Sequence, residues 1–165
     1  MEVAVLWLPK SELHFRAAEW VRLVDELHQR TQGYHESGAF LLGRISGRRR
    51  LVEEIVFYDD LDSAAYDTGV VVMRAASFGP LWDRCRSSGL QVVADVHVHG
   101  GSARQSLADK QNPMIAQKRH LAMILPSMAR APIAGDQIGL YEYRGRHRWK
   151  SLGHNRLSSH LIIGP

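Results

Sequence analysis

Residues 95–109 read DVHVHGGSARQSLAD, and the interpretation of the chain depends on them. They begin at the end of an apolar run, LQVVADVHVH, that is typical of a β-strand. Two glycines follow, and SLAD then resembles a helix start, because Ser106 is a preferred N-cap residue and Asp109 is an acid three positions later. The stretch therefore predicts a strand, a turn and a capped helix.

The two histidines lie on one face of the predicted strand, because side chains alternate along a strand. Strand rise places the backbones of His97 and His99 roughly 7 Å apart, so both imidazoles can reach one metal ion. The pair could instead be two half-exposed histidines at a strand edge. Asp95 shares their face, and we expect it to be a hydrogen-bonding partner for an imidazole nitrogen.

A third ligand is available in Asp109, whose position a helix start would fix. Two histidines and a carboxylate, with one position left for water, form the open arrangement of a catalytic zinc site. The same ligand set suits non-haem iron, so the residues alone do not decide the metal. The hydroxyl of Ser106 would face the reacting carbonyl group.

Composition restricts the class of protein. The 165 residues suit one domain, and 45% hydrophobic with 23% charged residues is typical of a globular protein. The single cysteine, Cys85, excludes a zinc site made of several thiolates, including that of zinc deaminases. No run is apolar enough to span a membrane and the N-terminus is a poor signal peptide, so we expect a cytoplasmic protein.

The net charge of +4 is mildly basic and would favour an acidic partner. Basic residues cluster at Arg48–Arg50 and again between Arg144 and Lys150. No nucleic-acid-binding module accompanies them, so we interpret both clusters as solvated surface and expect no nucleic-acid partner.

The remaining pattern predicts an α/β fold, that is, a mixed α and β domain. A helix is expected from an N-cap at Ser11 to about Gln29, and a second over 75–88 that ends at Gly89. Strands are expected at 2–8, 34–46, 50–61, 69–74, 90–99, 120–125, 137–143 and 147–152, with the second and third forming a hairpin.

Two other families with a His-x-His pair fit poorly. An amidohydrolase-type barrel needs roughly 200 residues or more. Cupins are all-β proteins, which the predicted helices oppose. Neither family accounts for Ser106 and Asp109.

These residues, in this order, resemble the motif of the JAMM metalloproteases, also called MPN-plus or JAB domains. That motif is His-x-His, a gap and Ser-x-x-Asp, with a glutamate far upstream. Here the glutamate is Glu36, in the segment HESGAFLLG of residues 35–43, which is similar to the bacterial form. The resemblance covers most of the chain, from the first helix to the strand near Tyr141.

The resemblance implies a single MPN-type domain at residues 1–153, with a curved mixed sheet flanked by helices and a cytidine-deaminase-like architecture. Residues 154–165 would be a C-terminal tail. It also implies one zinc ion held by His97, His99 and Asp109. Glu36 would move the proton of the attacking water, and Ser106 would stabilise the oxyanion.

By the same resemblance, the substrate is a ubiquitin or ubiquitin-like protein, or its conjugate, cut after the C-terminal glycine. Activating and conjugating enzymes of the E1 and E2 type are further candidate partners. Two alternatives remain open: a non-catalytic MPN-like scaffold that binds a protein, and a RadC-like domain associated with DNA.

The chain departs from the family pattern at three points. Six residues, rather than seven, separate His99 from Ser106. Gly100 replaces a usual proline, and Val98 replaces a usual Ser or Thr between the histidines. The glycines at 100 and 101 could absorb the shorter loop, or the loop could misplace Ser106.

Overall fold

The computed structural model of the chain describes residues 10–165, without the side chains of residues 154 and 155. The strand expected at residues 2–8 lies outside the described residues. Within them, no helix has both the length and the apolar character that crossing a membrane requires.

The described residues form one mixed sheet of eight strands with helices on both faces. The strands are β1 (Glu12–Arg16), β2 (Gly38–Ser46), β3 (Arg49–Phe57), β4 (Gln91–Val98), β5 (Leu121–Leu125), β6 (Gly139–Gly145), β7 (Arg148–Ser151) and β8 (Leu161–Gly164). Their spatial order is β7-β6-β5-β4-β2-β3-β1-β8. The pairs β1–β3, β1–β8 and β4–β5 are parallel, and the others are antiparallel.

Two apolar clusters cover the two faces of the sheet. The helices are α1 (Ala17–Arg30), α2 (Tyr58–Leu61), α3 (Phe78–Ser88) and α4 (Leu107–Gln111). On one face, Leu23 and Leu27 of α1 join a cluster that includes Val96 and Val98 of β4. On the other face, Leu81 of α3 packs with a group that contains Phe40 of β2. The sheet is therefore buried on both sides around β2 and β4.

Several predicted elements are confirmed. The hairpin is β2–β3, joined through Gly47 at a positive φ of 59°. Its second strand ends earlier than expected, because β3 stops at Phe57 and residues 58–61 form α2. The helix expected over 75–88 consists of a short 3₁₀ turn followed by α3, and Gly89 ends it in the left-handed conformation. The capped helix at SLAD is α4. The mixed α and β class is also confirmed.

The helix expected from Ser11 starts later than predicted. Residues 12–16 form β1, which lies between β3 and β8, and the helix begins at Ala17. The alternating burial of Leu13 and Phe15 fits a strand, and pairing on both sides outweighs the helical spacing. Instead of capping a helix, the Ser11 hydroxyl donates to Glu142 at 3.4 Å.

The strand expected at residues 69–74 is absent from the sheet. Residues 70–72 are three valines, which favour an extended chain. They lie beside the residues before β2, but they cannot pair with β2 as a strand, because β2 already has β3 and β4 as its two neighbours. The segment instead crosses the surface: the Val72 amide donates to the Ala65 carbonyl at 2.9 Å, and Arg74 forms an ion pair with Asp62.

The interpretation of the basic cluster at residues 48–50 as solvated surface is wrong for Arg50, which is buried. Its guanidinium donates to the carbonyls of Val93 at 2.8 Å and Arg119 at 2.6 Å. Burial lowers the pKa of Arg50 to about 10, while the nearby Glu142 carboxylate opposes that shift. Arg50 is therefore part of the core, and fewer basic side chains of this cluster face the solvent.

Candidate metal centre

The strand β4 delivers the histidine pair to the end of the sheet. His97 lies opposite Gly38 at the beginning of β2 and is about nine-tenths buried. His99 follows the last residue of β4, and its amide donates to the Leu125 carbonyl at 2.9 Å. Its Nδ1 donates to the Ser102 carbonyl at 3.2 Å, so Nε2 is the ring nitrogen that faces Asp109 and would bind a metal.

Three potential ligands converge at this point. The Nε2 atoms of His97 and His99 are 3.0 Å apart. The Oδ1 atom of Asp109 is 3.3 Å from His97 Nε2, and its Oδ2 atom is 3.3 Å from His99 Nε2. The cluster could hold a metal ion, because ligand atoms of all three residues lie within 4.8 Å of one another. The predicted convergence of the histidines and Asp109 is confirmed.

A capping box fixes Asp109 in this position. The Asp109 amide donates to the Ser106 hydroxyl at 3.1 Å, and the Ser106 amide donates to Asp109 Oδ2 at 2.6 Å. The six-residue loop therefore brings the start of α4 to the histidines. The shorter loop does not prevent Asp109 from meeting them, and Ser106 is in direct contact with it.

Glu36 lies beside the three ligands. Its Oε1 atom is 3.9 Å from His99 Nε2, and its other oxygen accepts a hydrogen bond from the Val71 amide at 3.2 Å. The Glu36 amide donates to the Gly69 carbonyl at 2.9 Å. Glu36 is thus held by the extended segment over residues 69–74, with about a fifth of its side chain exposed.

His99 and Asp109 shift each other's pKa values. Burial alone would raise the pKa of Asp109, but hydrogen bonds from His97 and His99 outweigh it and hold that pKa well below the usual range. The hydrogen bond to Asp109 raises the pKa of His99, against the opposing effect of burial. Asp109 is therefore ionised near neutral pH, as a metal ligand must be.

Asp95 does not support either ligand histidine, contrary to our expectation. It is buried, and its carboxylate contacts His120 Nε2 at 2.5 Å and the Tyr58 hydroxyl at 3.4 Å. Strand alternation placed Asp95 on the correct face, but its partners are His120, which directly precedes β5, and Tyr58 of α2. Asp95 and His120 thus form a buried pair beneath the site.

Several groups that hold the site were not predicted from the sequence. These are the Gly69 carbonyl and Val71 amide at Glu36, and the Ser102 carbonyl at His99. The Tyr141 hydroxyl, which donates to the Ala103 carbonyl at 2.7 Å, was also missed. Most of these are backbone groups, whose contacts depend on chain path rather than on residue type.

The fold and site define a mixed α and β protein with a His-His-Asp cluster able to hold a metal ion. No protein-family model matches the chain. Its structure is similar to the solution structure of protein DSY2949 from Desulfitobacterium hafniense, with a TM-score of 0.66 and 15% sequence identity. The match covers 92% of each chain, and at this identity it shows a shared fold alone.

Proposed function

We propose that the chain is a zinc-dependent peptidase or isopeptidase of the JAMM type, with an MPN-like, cytidine-deaminase-like architecture. The observation that carries the proposal is the cluster of His97, His99 and Asp109 with Glu36 beside it. These are the four residues that the JAMM resemblance assigns to metal binding and proton transfer. They come from three separate parts of the chain, so local sequence alone does not bring them together.

The spacing of the three ligands suits zinc. In a tetrahedral site, ligand atoms lie roughly 3.4 Å apart, because Zn–N and Zn–O bonds are about 2.1 Å long. The histidine nitrogens are 3.0 Å apart, and each lies 3.3 Å from a different oxygen of Asp109. With a single atom taken from each residue, the three ligand atoms lie within 4.8 Å of one another. Three protein ligands leave the fourth position for water, as in catalytic sites.

Each residue then has a defined task. His97 and His99 would hold the zinc ion through Nε2, and Asp109 would hold it through its carboxylate. When bound, zinc would lower the pKa of a water molecule to about 7 and supply hydroxide at neutral pH. Glu36 accepts the proton of the attacking water and returns it to the leaving amine.

Ser106 is free to assist the reaction as a donor. Its oxygen accepts the Asp109 amide, so the hydroxyl hydrogen is available to another acceptor. We assign it to the oxyanion of the tetrahedral intermediate, a task for which the loss of one donor costs roughly 3 kcal/mol.

For the substrate, we propose the C-terminal tail of a ubiquitin-like protein, cut after its last glycine. The segment 70–74 lies outside the sheet next to Glu36, and the side chains of Val70 and Val72 are about half exposed. The amides of Val71 and Val72 already donate within the chain, so these valines would bind the tail through side-chain contacts rather than through strand pairing. Such contacts would place the last residue of the tail near Glu36. This assignment rests on the JAMM resemblance together with that surface.

The test is cleavage of ubiquitin-like proteins fused through their terminal glycine to a short peptide. The zinc-loaded protein is expected to release the peptide, and Glu36→Gln to lower kcat at least 100-fold while keeping zinc, because general base catalysis contributes 10²–10⁴-fold. Glu53→Gln is the matched control, since Glu53 pairs with Arg44 on the surface.

Cleavage by Glu36→Gln at the wild-type rate would contradict the assigned role. Zinc binding by a wild-type protein that cleaves none of the fusions would favour the scaffold alternative. DNA binding that weakens steeply with salt would favour the RadC-like alternative.

A further inference from the structure

The hairpin of β6 and β7 contacts the chain at two positions, one before Ser106 and one after Asp109. Before these residues, the Tyr141 hydroxyl of β6 donates to the Ala103 carbonyl at 2.7 Å. After them, the indole Nε1 of Trp149 in β7 donates to the Lys110 carbonyl at 3.1 Å. Two aromatic side chains therefore hold the ends of an eight-residue stretch, from 103 to 110, in which a ligand and an oxyanion donor lie.

The contact on the side of the loop is unusually close. A Cβ atom added to Gly139 would lie 2.2 Å from the Ala103 carbonyl oxygen, so only glycine fits at this position of β6. Ala103 is itself buried, although its neighbours Ser102 and Arg104 are exposed. The loop thus rests on β6 at Ala103, between two exposed residues, and the Gln105 amide also donates to the Tyr141 hydroxyl.

This contact lies one residue from the carbonyl that orients His99. The Ser102 carbonyl accepts a hydrogen bond from His99 Nδ1 at 3.2 Å, and the Ala103 carbonyl accepts one from the Tyr141 hydroxyl. Burial raises the pKa of Tyr141, which keeps its hydroxyl protonated and able to donate at neutral pH. A loop one residue shorter than the family pattern has fewer conformations available, and the hydrogen bond from Tyr141 to Ala103 fixes the path of the loop.

We propose that Tyr141 and Trp149 are positioning residues for the metal centre, through their contacts with the loop and with α4. Tyr141 sets the path of the loop between His99 and Ser106, and Trp149 holds the end of α4. Neither residue touches a ligand atom. The inference rests on the proposed function, because it concerns the same site.

The test compares two variants that each lose one hydroxyl from β6. Tyr141→Phe removes the donor to Ala103, whereas Tyr143→Phe removes an acceptor of the His147 amide, at 3.2 Å, in the β6–β7 turn. Tyr143→Phe keeps the ring that packs on Trp149 at 4.9 Å between centroids. Zinc dissociation constants are measured by competition with a chromophoric chelator.

Tyr141→Phe is expected to raise the zinc Kd about 10-fold, as the loss of an outer-shell partner does. Trp149→Phe is expected to raise it as well, and Tyr143→Phe to change it less than about twofold. A Tyr141→Phe protein that binds zinc as tightly as wild type would overturn the proposal. Equal weakening by Tyr143→Phe would overturn it too, since the effect would then be general.

A second readout does not depend on metal. In chelator-treated protein, amide hydrogen exchange over residues 100–110 is expected to accelerate at least 10-fold in Tyr141→Phe and to stay unchanged in Tyr143→Phe. Unchanged exchange in Tyr141→Phe would overturn the positioning role. If wild-type protein bound no zinc at all, the proposed function would fail, while the exchange data would still decide whether Tyr141 fixes the loop.

Discussion

Asp109 serves both the helix and the candidate metal centre. Its Oδ2 atom accepts the Ser106 amide at 2.6 Å and lies 3.3 Å from His99, while its Oδ1 atom is 3.3 Å from His97. A helix cap and a metal ligand are therefore compatible in one carboxylate. The cap restricts the rotation of the side chain before any metal binds, which reduces the entropy lost on binding.

The metal-free protein should show the pairing of His99 with Asp109 in its pH dependence. The folded-state pKa of His99 is raised above 6.5, chiefly by Asp109, so its stabilising effect is present below that pH and lost as pH rises through the raised value. We expect the free energy of unfolding, measured with urea and a chelator, to fall above about pH 6.5 in wild type relative to Asp109→Asn. Parallel curves for the two proteins would contradict the pairing.

The candidate ligands could be predicted because their geometry is local. Alternation along one strand puts His97 and His99 on one face, and a helix cap orients Asp109. The partner of Asp95 could not be predicted, because His120 lies in the loop that directly precedes the neighbouring strand β5. Glu36 was expected from the JAMM resemblance, and nothing in its own segment indicates that Val71 would hold it.

Among the structural elements, the connection between α2 and α3 depends on one buried carboxylate. Asp62 accepts hydrogen bonds from Arg74, from the Ser77 hydroxyl at 2.8 Å and from the Ala64 amide at 3.0 Å. These contacts close the loop that presents Gly69 and Val71 to Glu36. The loop can therefore affect proton transfer without touching a metal ligand.

Replacement of Asp62 by Asn is expected to destabilise the protein at pH 7 and to lower kcat more than zinc affinity. The hydrogen bonds from Arg74 and Ser77 lower the pKa of Asp62 below 3.8, so its stabilisation is present above that pH and lost on acidification. Measured by urea unfolding, the difference in the free energy of unfolding between Asp62→Asn and wild type should become smaller below about pH 4.

Asp83→Asn is the control for this variant, because Asp83 pairs with Arg86 on the exposed side of α3. It should leave both stability and activity close to wild type. If Asp62→Asn and wild type differed in free energy of unfolding by the same amount from pH 7 to pH 3, an ionised Asp62 would not be what closes this loop.

Elements with a regular local pattern were predicted correctly, and two of the errors fall where pairing with distant strands decides the structure. The β2–β3 hairpin and α3 follow from periodicity and from their turn glycines. The segments 12–16 and 69–74 were assigned wrongly, because β1 gains two parallel neighbours while the valines at 70–72 gain none. Strand pairing over long sequence separations is not visible in the residues themselves.

For the molecule as a whole, the C-terminal segment completes the sheet. The strand β8 pairs with β1 in parallel, and the Leu13 amide donates to the His160 carbonyl at 2.7 Å. Leu161 joins the apolar cluster around α1, whereas Ile163 is about half exposed. The candidate metal centre lies at β4, which β2, β3 and β1 separate from this edge.

Substitutions in β8 should therefore change stability and leave the metal centre intact. Leu161→Ala is expected to lower the free energy of unfolding by about 2–3 kcal/mol, and Ile163→Ala by less than about 1 kcal/mol, because only Leu161 is buried. Zinc affinity should be the same in both. Equal destabilisation by the two variants, or a loss of zinc in either, would show that β8 has another role.

The most direct test of the central claim is the metal content of the purified protein beside Asp109→Ala, measured by elemental mass spectrometry. We expect about one zinc ion per wild-type chain and little or none in the variant, because Asp109 would be one of three protein ligands. A wild-type protein without metal after zinc supplementation would contradict the proposed zinc site. So would Asp109→Ala that retains the full content.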